Sequence, residues 1–266
     1  MNKLTMNEYL KRKLDKTYLV IYAIKNEVNI KKGESIEKET IYTFIGIDLK
    51  GYRQLLNIYQ DKVTNNRYWL ECFEELKSRG LTNIMFLSVD DNKNIKRTAK
   101  IAYPNTIFVD SITDITPKLF KYSLEPDCNR LARKIYDLYT QNTLTDYKKV
   151  FDELKKDHNN IIHQKLIEKY LSNIENFYKY SVNIRKLLFK PIANIKLFDR
   201  IRISFNENKS YITELNEIYD KLENNRDNYF GFMSFKKKEW TLILNDLIQT
   251  YPNIDFIWRS KNEKDW

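Results

Sequence analysis

The side chains whose types and spacing best suit chemistry gather around residue 90. An apolar run, Leu81 to Val89 (LTNIMFLSV), ends in Asp90-Asp91-Asn92, and a basic segment with Lys93, Lys96, Arg97 and Lys100 follows at once. On a helix, cations three and four residues apart share one face. Such a face suits phosphate binding, and it equally suits a solvated surface. Asp90, ending a strand and leading into a helix, has the type and place of an N-cap. Other reactive residues are sparse. Cys72 and Cys128 lie far apart with no metal-type spacing and read as free thiols in a reducing compartment. His158 and His163 have no cysteine near them, so they do not read as a zinc motif. The net charge of +10 favours a polyanionic partner, most often nucleic acid. The abundance of Asn, Lys, Ile and Tyr also follows from an AT-rich genome, so charge alone does not decide the matter.

These residues need elements to position them. Thr17 to Ile24 is an apolar strand, Asn26 to Lys38 reads as a polar hairpin loop, and Glu39 to Leu49 is a second strand. After Lys50-Gly51, Tyr52 to Tyr59 is a third, so the first three strands form a meander. From about Asn65 to Ser78, the residues Trp69, Leu70, Phe73 and Leu76 give a helix one apolar face, and Arg79-Gly80 is a fitting stop. Leu81 to Val89 is a buried strand, Lys93 to Ala102 a short basic helix stopped by Pro104, and Thr106 to Asp110 a further strand. From about Lys118 onward the pattern is almost wholly helical, with helices over about Ala193 to Ile203, Tyr211 to Leu222 and Lys237 to Thr250. Lys236-Lys237-Lys238 reads as a charge run at a helix start. The 19 tyrosines suit either a core or base stacking.

With 5 glycines and 5 prolines, long flexible linkers are not expected. The apolar runs are far too short to cross a bilayer, and the N-terminus lacks the apolar stretch of a signal peptide. The expected location is therefore the cytoplasm, with no membrane partner. The order of three strands, helix, strand, helix, strand and then helices matches an α/β, ribonuclease-H-like fold: a mixed five-stranded sheet with flanking helices and a helical insertion. The expected divisions are 1–16 as a polar helix or tail, 17–122 as the sheet portion, 123–182 as the helical insertion, and 183–266 as the last catalytic-type helix and C-terminal helices.

The middle of the chain goes further. Tyr68-Trp69-Leu70, Leu76-Lys77-Ser78-Arg79-Gly80, Val89-Asp90 and Tyr103-Pro104 together resemble the core of a Mutator-type insertion-sequence transposase. FIGIDLKG (Phe44 to Gly51), NIRKLLF (Asn183 to Phe189) and WTLILNDL (Trp240 to Leu247) extend the resemblance over about residues 18–250, patchily between about 125 and 175. The resemblance implies three carboxylates, Asp, Asp and Glu, holding two Mg2+ ions that cleave and transfer DNA strands at element ends. It also implies an N-terminal DNA-binding region, whereas here the match begins almost at once.

Checked position by position, Asp90 matches the second Asp. The first falls on Tyr22, or on Ile24 when counted back without a gap from Gly46-Ile47-Asp48. Asp15 would align only through a long insertion in the hairpin. The Glu falls on Ile195, or on Lys196 with a one-residue shift, within KPIANIKLFDRIR, where Ala193, Leu197 and Arg202 agree with the pattern. The family's glycine after the second Asp is Asp91, and its Cys-x-x-His after the fifth strand is Ser111-Ile112-Thr113-Asp114.

The expectation is a transposase-like chain without catalysis and without a metal, in which Lys93, Lys96, Arg97, Lys100 and Arg202 contact DNA at transposon ends or without sequence preference. The expected protein partner is a second copy or a related transposase. The alternatives are a rebuilt Mg2+ site from Asp90, Asp91 and Asp199, the last lying one turn beyond Ile195, or a domesticated interaction protein.

Overall fold

The computed structural model describes residues 6–61, 65–121, 125–157, 161–189, 217, 219–220 and 237–251. A short helix, α1 (Met6–Lys11), leads into three long strands, β1 (Thr17–Lys32), β2 (Ser35–Asp48) and β3 (Arg53–Gln60). Then follow α2 (Asn66–Ser78), β4 (Asn83–Val89), α3 (Lys93–Ala102), β5 (Ile107–Asp110), α4 (Ile112–Phe120), α5 (Glu125–Thr140), α6 (Leu144–Lys156) and α7 (Ile161–Leu171). A 3-10 turn over Ser172–Phe177 joins α7 to α8 (Val182–Phe189), and α9 (Lys237–Thr250) is the last described helix. The expected helices over 193–203 and 211–222 lie outside the described residues, apart from 217, 219 and 220, which are helical.

The sheet order is β3-β2-β1-β4-β5. The first three strands are an antiparallel meander, while β4 and β5 run parallel to β1. A mixed five-stranded sheet with this order and helices on both faces is the ribonuclease-H-like arrangement the element order implied. One expectation is corrected: Asn26 to Lys38 is not a loop. The β1–β2 ladder runs on through Asn26–Ile41 to Lys32–Ser35 and closes in a tight turn at Gly33, whose φ of 61° suits a residue without Cβ. Polar residues hid this ribbon, since much of it faces water and neither strand face shows a continuous apolar signal.

Each face of the sheet carries its own core. On one, Trp69, Cys72, Phe73 and Leu76 of α2 and Ile95, Ala99 and Ala102 of α3 pack on Ile21, Ala23, Phe44, Leu87 and Val89. On the other, α5, α8 and α9 bury Leu138, Leu187, Trp240 and Leu247 against Val20, Tyr22, Ile24, Ile45 and Phe86. Period-3.6 helices against period-2 strands account for both layers. α2 starts where the Asn65 side chain accepts from the Tyr68 N–H at 2.8 Å, and it stops at Gly80, with φ of 107°. The C-terminal helix α9 is keyed to the β2–β3 turn. The Trp240 indole donates to the Leu49 carbonyl at 3.1 Å, and a Cβ on Gly51 would stand 2.8 Å from that indole ring.

Candidate active site

Asp90 sits one residue past the end of β4, on the sheet edge where α3 and α4 begin, and it is only 8% exposed. Its carboxylate is held from two sides. The Tyr42 hydroxyl, reaching from β2, straddles it at 3.1 Å from Oδ1 and 2.9 Å from Oδ2, and the Asn92 N–H donates to Oδ1 at 3.1 Å. The Asn92 amide in turn donates to the Tyr42 hydroxyl at 3.2 Å. Tyr42 is fixed by the edge of its ring against Trp69, with centroids 5.2 Å apart. Burial pushes the Asp90 carboxyl above its ordinary range. Tyr42 and Asn92 pull it back, the nearby Asp114 charge raises it, and Lys25 lowers it. The helix cap expected of Asp90 belongs to Asn92, whose Oδ1 accepts from the N–H groups of Asn94 (3.0 Å) and Ile95 (3.1 Å).

The matched place of the first carboxylate is also filled. In the parallel β1–β4 ladder Tyr22 stands opposite Ser88. Continuing that register by two residues sets Ile24 beside Asp90, so the two alignments of the first Asp select adjacent positions on one strand face. Ile24 is buried in the core. The Tyr22 hydroxyl crosses to α8 and donates to the Leu187 carbonyl at 2.6 Å, within NIRKLLF. Burial raises the Tyr22 phenol well above its usual range, so it stays protonated as a donor. Ile195, Lys196, Asp199 and Arg202 lie outside the described residues.

Other charges crowd the same edge. Asp91 is exposed and pairs with Lys118 of α4 at 3.6 Å, and Lys118 also pairs with Asp114 at 2.5 Å. Lys96 is committed to Asp110 at 3.1 Å, and Asn173 donates to the other Asp110 oxygen at 3.4 Å. Lys100 reaches the Thr106 carbonyl at 3.5 Å, while Lys93 and Arg97 are exposed with no ion pair among the described residues. Among the described residues no group of three or more His, Cys, Asp or Glu side chains is arranged to hold a metal ion. Asp48, the other strand-end aspartate, is spent on the β2–β3 turn. It accepts from the N–H groups of Lys50 (2.8 Å) and Tyr52 (2.9 Å) and from Gln54 (2.8 Å). Cys72 is a buried thiol pushed up to about 12 by burial, and Cys128 is partly buried; neither is in a disulfide.

Sequence reasoning missed Tyr42, Lys25, Asp110, Asp114 and Lys118. Asp114 and Lys118 were within reach as an acid–base pair at i, i+4 on one helix. Tyr42 and Lys25 left no local signal, because both come from the β1–β2 hairpin, far from residue 90 in the chain.

Comparison with known proteins agrees with this arrangement. The family described as Transposase, Mutator family, matches residues 2–202. A probable insertion-sequence transposase of Corynebacterium diphtheriae is 19% identical over 88% of this chain and 64% of its own length. An insertion-sequence transposase of Rhizobium meliloti is 23% identical over 45% of this chain and 29% of its own length. One of Lactobacillus helveticus is 28% identical over 38% of this chain and 27% of its own length. The chain thus spans less than two thirds of each of these relatives. No described helix is long and apolar enough to cross a membrane. With a family match over most of its length, a sheet in the order β3-β2-β1-β4-β5 and an aspartate at the end of β4, the chain belongs to the Mutator family of transposases.

Proposed function

We propose that this chain engages DNA as a Mutator-type core without metal-dependent strand cleavage. The observation that carries this reading is Tyr22. At the matched place of the first carboxylate, a phenol reaches across to the Leu187 carbonyl, and its neighbour on the same face, Ile24, is a core residue. Neither supplies the charged oxygen that Mg2+ takes as a ligand. Asp90 fits the metal pair no better. Oδ1 accepts from both Tyr42 and Asn92, and Oδ2 accepts from Tyr42. A divalent ion would have to displace a buried, hydrogen-bonded phenol to reach it. The described residues therefore do not suit a two-ion site.

For DNA, the geometry narrows the basic candidates. Lys96 braces α3 against β5 through Asp110, which leaves Lys93 and Arg97, one turn apart and exposed, as the side chains best placed to meet phosphates, with Lys100 beside them. Arg202 remains a candidate from the sequence. A gel-shift series on the purified chain in chelating buffer tests this. Binding is expected without any divalent ion and should fall steeply as salt rises, because phosphate contacts release counterions. Absence of a shift at low salt would favour an interaction protein that has left DNA behind. A shift that appears only with Mg2+ or Mn2+ would contradict the proposal.

A further inference from the structure

We infer that Lys118 is a built-in cation of this site, its ammonium taking at the ends of β4 and β5 the electrostatic part that divalent ions play in an intact carboxylate centre. Carboxylates crowd this edge. Asp90 and Asp91 follow the end of β4, Asp110 ends β5 and Asp114 lies in the first turn of α4. Asp90 and Asp114 feel each other's charge, which makes ionising Asp90 harder. Clustered carboxylates repel one another unless positive charge stands among them. The structure supplies it from lysines on separate elements. Lys96 reaches Asp110, Lys25 draws on Asp90, and Lys118 stands between Asp91 and Asp114.

Lys118 is the central one for geometric reasons. Among the described lysines of this edge it alone bridges two carboxylates from different elements, tying the segment after β4 to α4. Its ammonium also faces the Tyr170 ring at 5.1 Å, a cation–π contact that links α4 to α7. The site is only partly open at this point, with the lysine and Asp114 side chains 36% and 23% exposed. Burial pulls the Lys118 ammonium down most strongly, but the hydrogen bond to Asp114 and the charges of Asp114, Tyr170 and Asp91 together outweigh it, so the net shift is upward and the charge is held firmly.

The inference rests on the reading of the site as one without a metal pair. Its readout is thermal unfolding rather than cleavage, so the two can fail separately. The full chain is melted in chelating buffer, in millimolar Mg2+, and in NaCl of matched ionic strength. The wild type is expected to melt at the same temperature in Mg2+ as in matched NaCl. Lys118→Gln should lower the midpoint by roughly 2–4 °C in chelator and regain it in Mg2+ but not in NaCl, while Lys118→Arg keeps the wild-type behaviour. Adding Asp114→Asn to Lys118→Gln should restore the midpoint and abolish the Mg2+ response, which also covers a poorly folding single variant. A wild type stabilised by Mg2+ as much as the variant would overturn the inference. So would a Lys118→Gln protein that is indifferent to both salts.

Discussion

Two seams meet at the centre of the sheet, and they have kept different things. Along the seam from α2 through β4 to α3, the landmarks of the family stand together: Trp69 buried under the sheet, Asp90 at the strand end and Tyr103 closing α3. Along the seam from β1 to α8, the fold is kept while a phenol stands where the resemblance expects a carboxylate. Tyr22 joins the two elements by a hydrogen bond from its hydroxyl to the Leu187 carbonyl, so a position that the resemblance assigns to metal binding is given to packing. The difference teaches that a scaffold can hold its packing while a side chain at a matched position changes. The β4 seam needs Asp90 for local order whether or not a metal is bound, because Tyr42 and Asn92 lean on it. The β1 seam has a use for a large apolar body with one donor, and a carboxylate would serve it badly.

The most severe way to break this contrast is Tyr22→Asp. The variant puts a carboxylate at the matched position, but it empties a packed site, orphans the Leu187 carbonyl and buries a charge. A loss of about 3–5 kcal/mol in urea unfolding is expected. Near-wild-type stability together with new Mg2+ binding would reverse the interpretation of this seam. Tyr22→Phe isolates the hydroxyl. It should cost about 1–3 kcal/mol, because the ring stays while a buried acceptor loses its donor.

On the other seam, Asp90→Asn should act in the opposite direction. The folded-state carboxyl titrates above its ordinary range, chiefly through burial, so ionisation opposes folding. The stability it lends is fully present below the ordinary carboxylate pKa and is lost as pH rises through the raised one. The Asn variant, which can still accept from Tyr42 and Asn92, should therefore be the more stable protein at neutral pH, with the gap closing under acid. Urea midpoints across a pH series check this, and a less stable variant at neutral pH would sink it. The smallest effect belongs to the DNA face. Lys93→Ala and Arg97→Ala should each lower the salt slope of DNA binding by about 1 without changing stability, whereas Lys96→Ala should weaken the α3–β5 brace instead.

The contrast also explains what could be read in advance. α3 and α9 match their expected limits, because each shows one apolar face and a clear stop, Pro104 and Pro252. The mixed five-stranded sheet with flanking helices followed from the run of element types. Asp90, Tyr22 and Ile24 could be placed because they stand in or beside apolar strands whose register is countable. What stayed hidden depended on distance or exposure. The β1–β2 ribbon lacks a dry face, so its polar residues looked like a loop. The Tyr42–Asp90 bond joins residues 48 apart in sequence, across an intervening strand. The N-cap went to Asn92 and not to Asp90, because the Asp90 carboxylate turns back toward the sheet while Asn92 stands next to the first helical N–H groups.

The most direct test is a nicking assay. Supercoiled and linear DNA are incubated with the purified chain in Mg2+ and in Mn2+, beside an Asp90→Ala control. The expected result is the same residual trace for both proteins, with no dependence on the metal. Metal-dependent nicking by the wild type that disappears in Asp90→Ala would contradict the loss of the site and establish Asp90 as a working ligand.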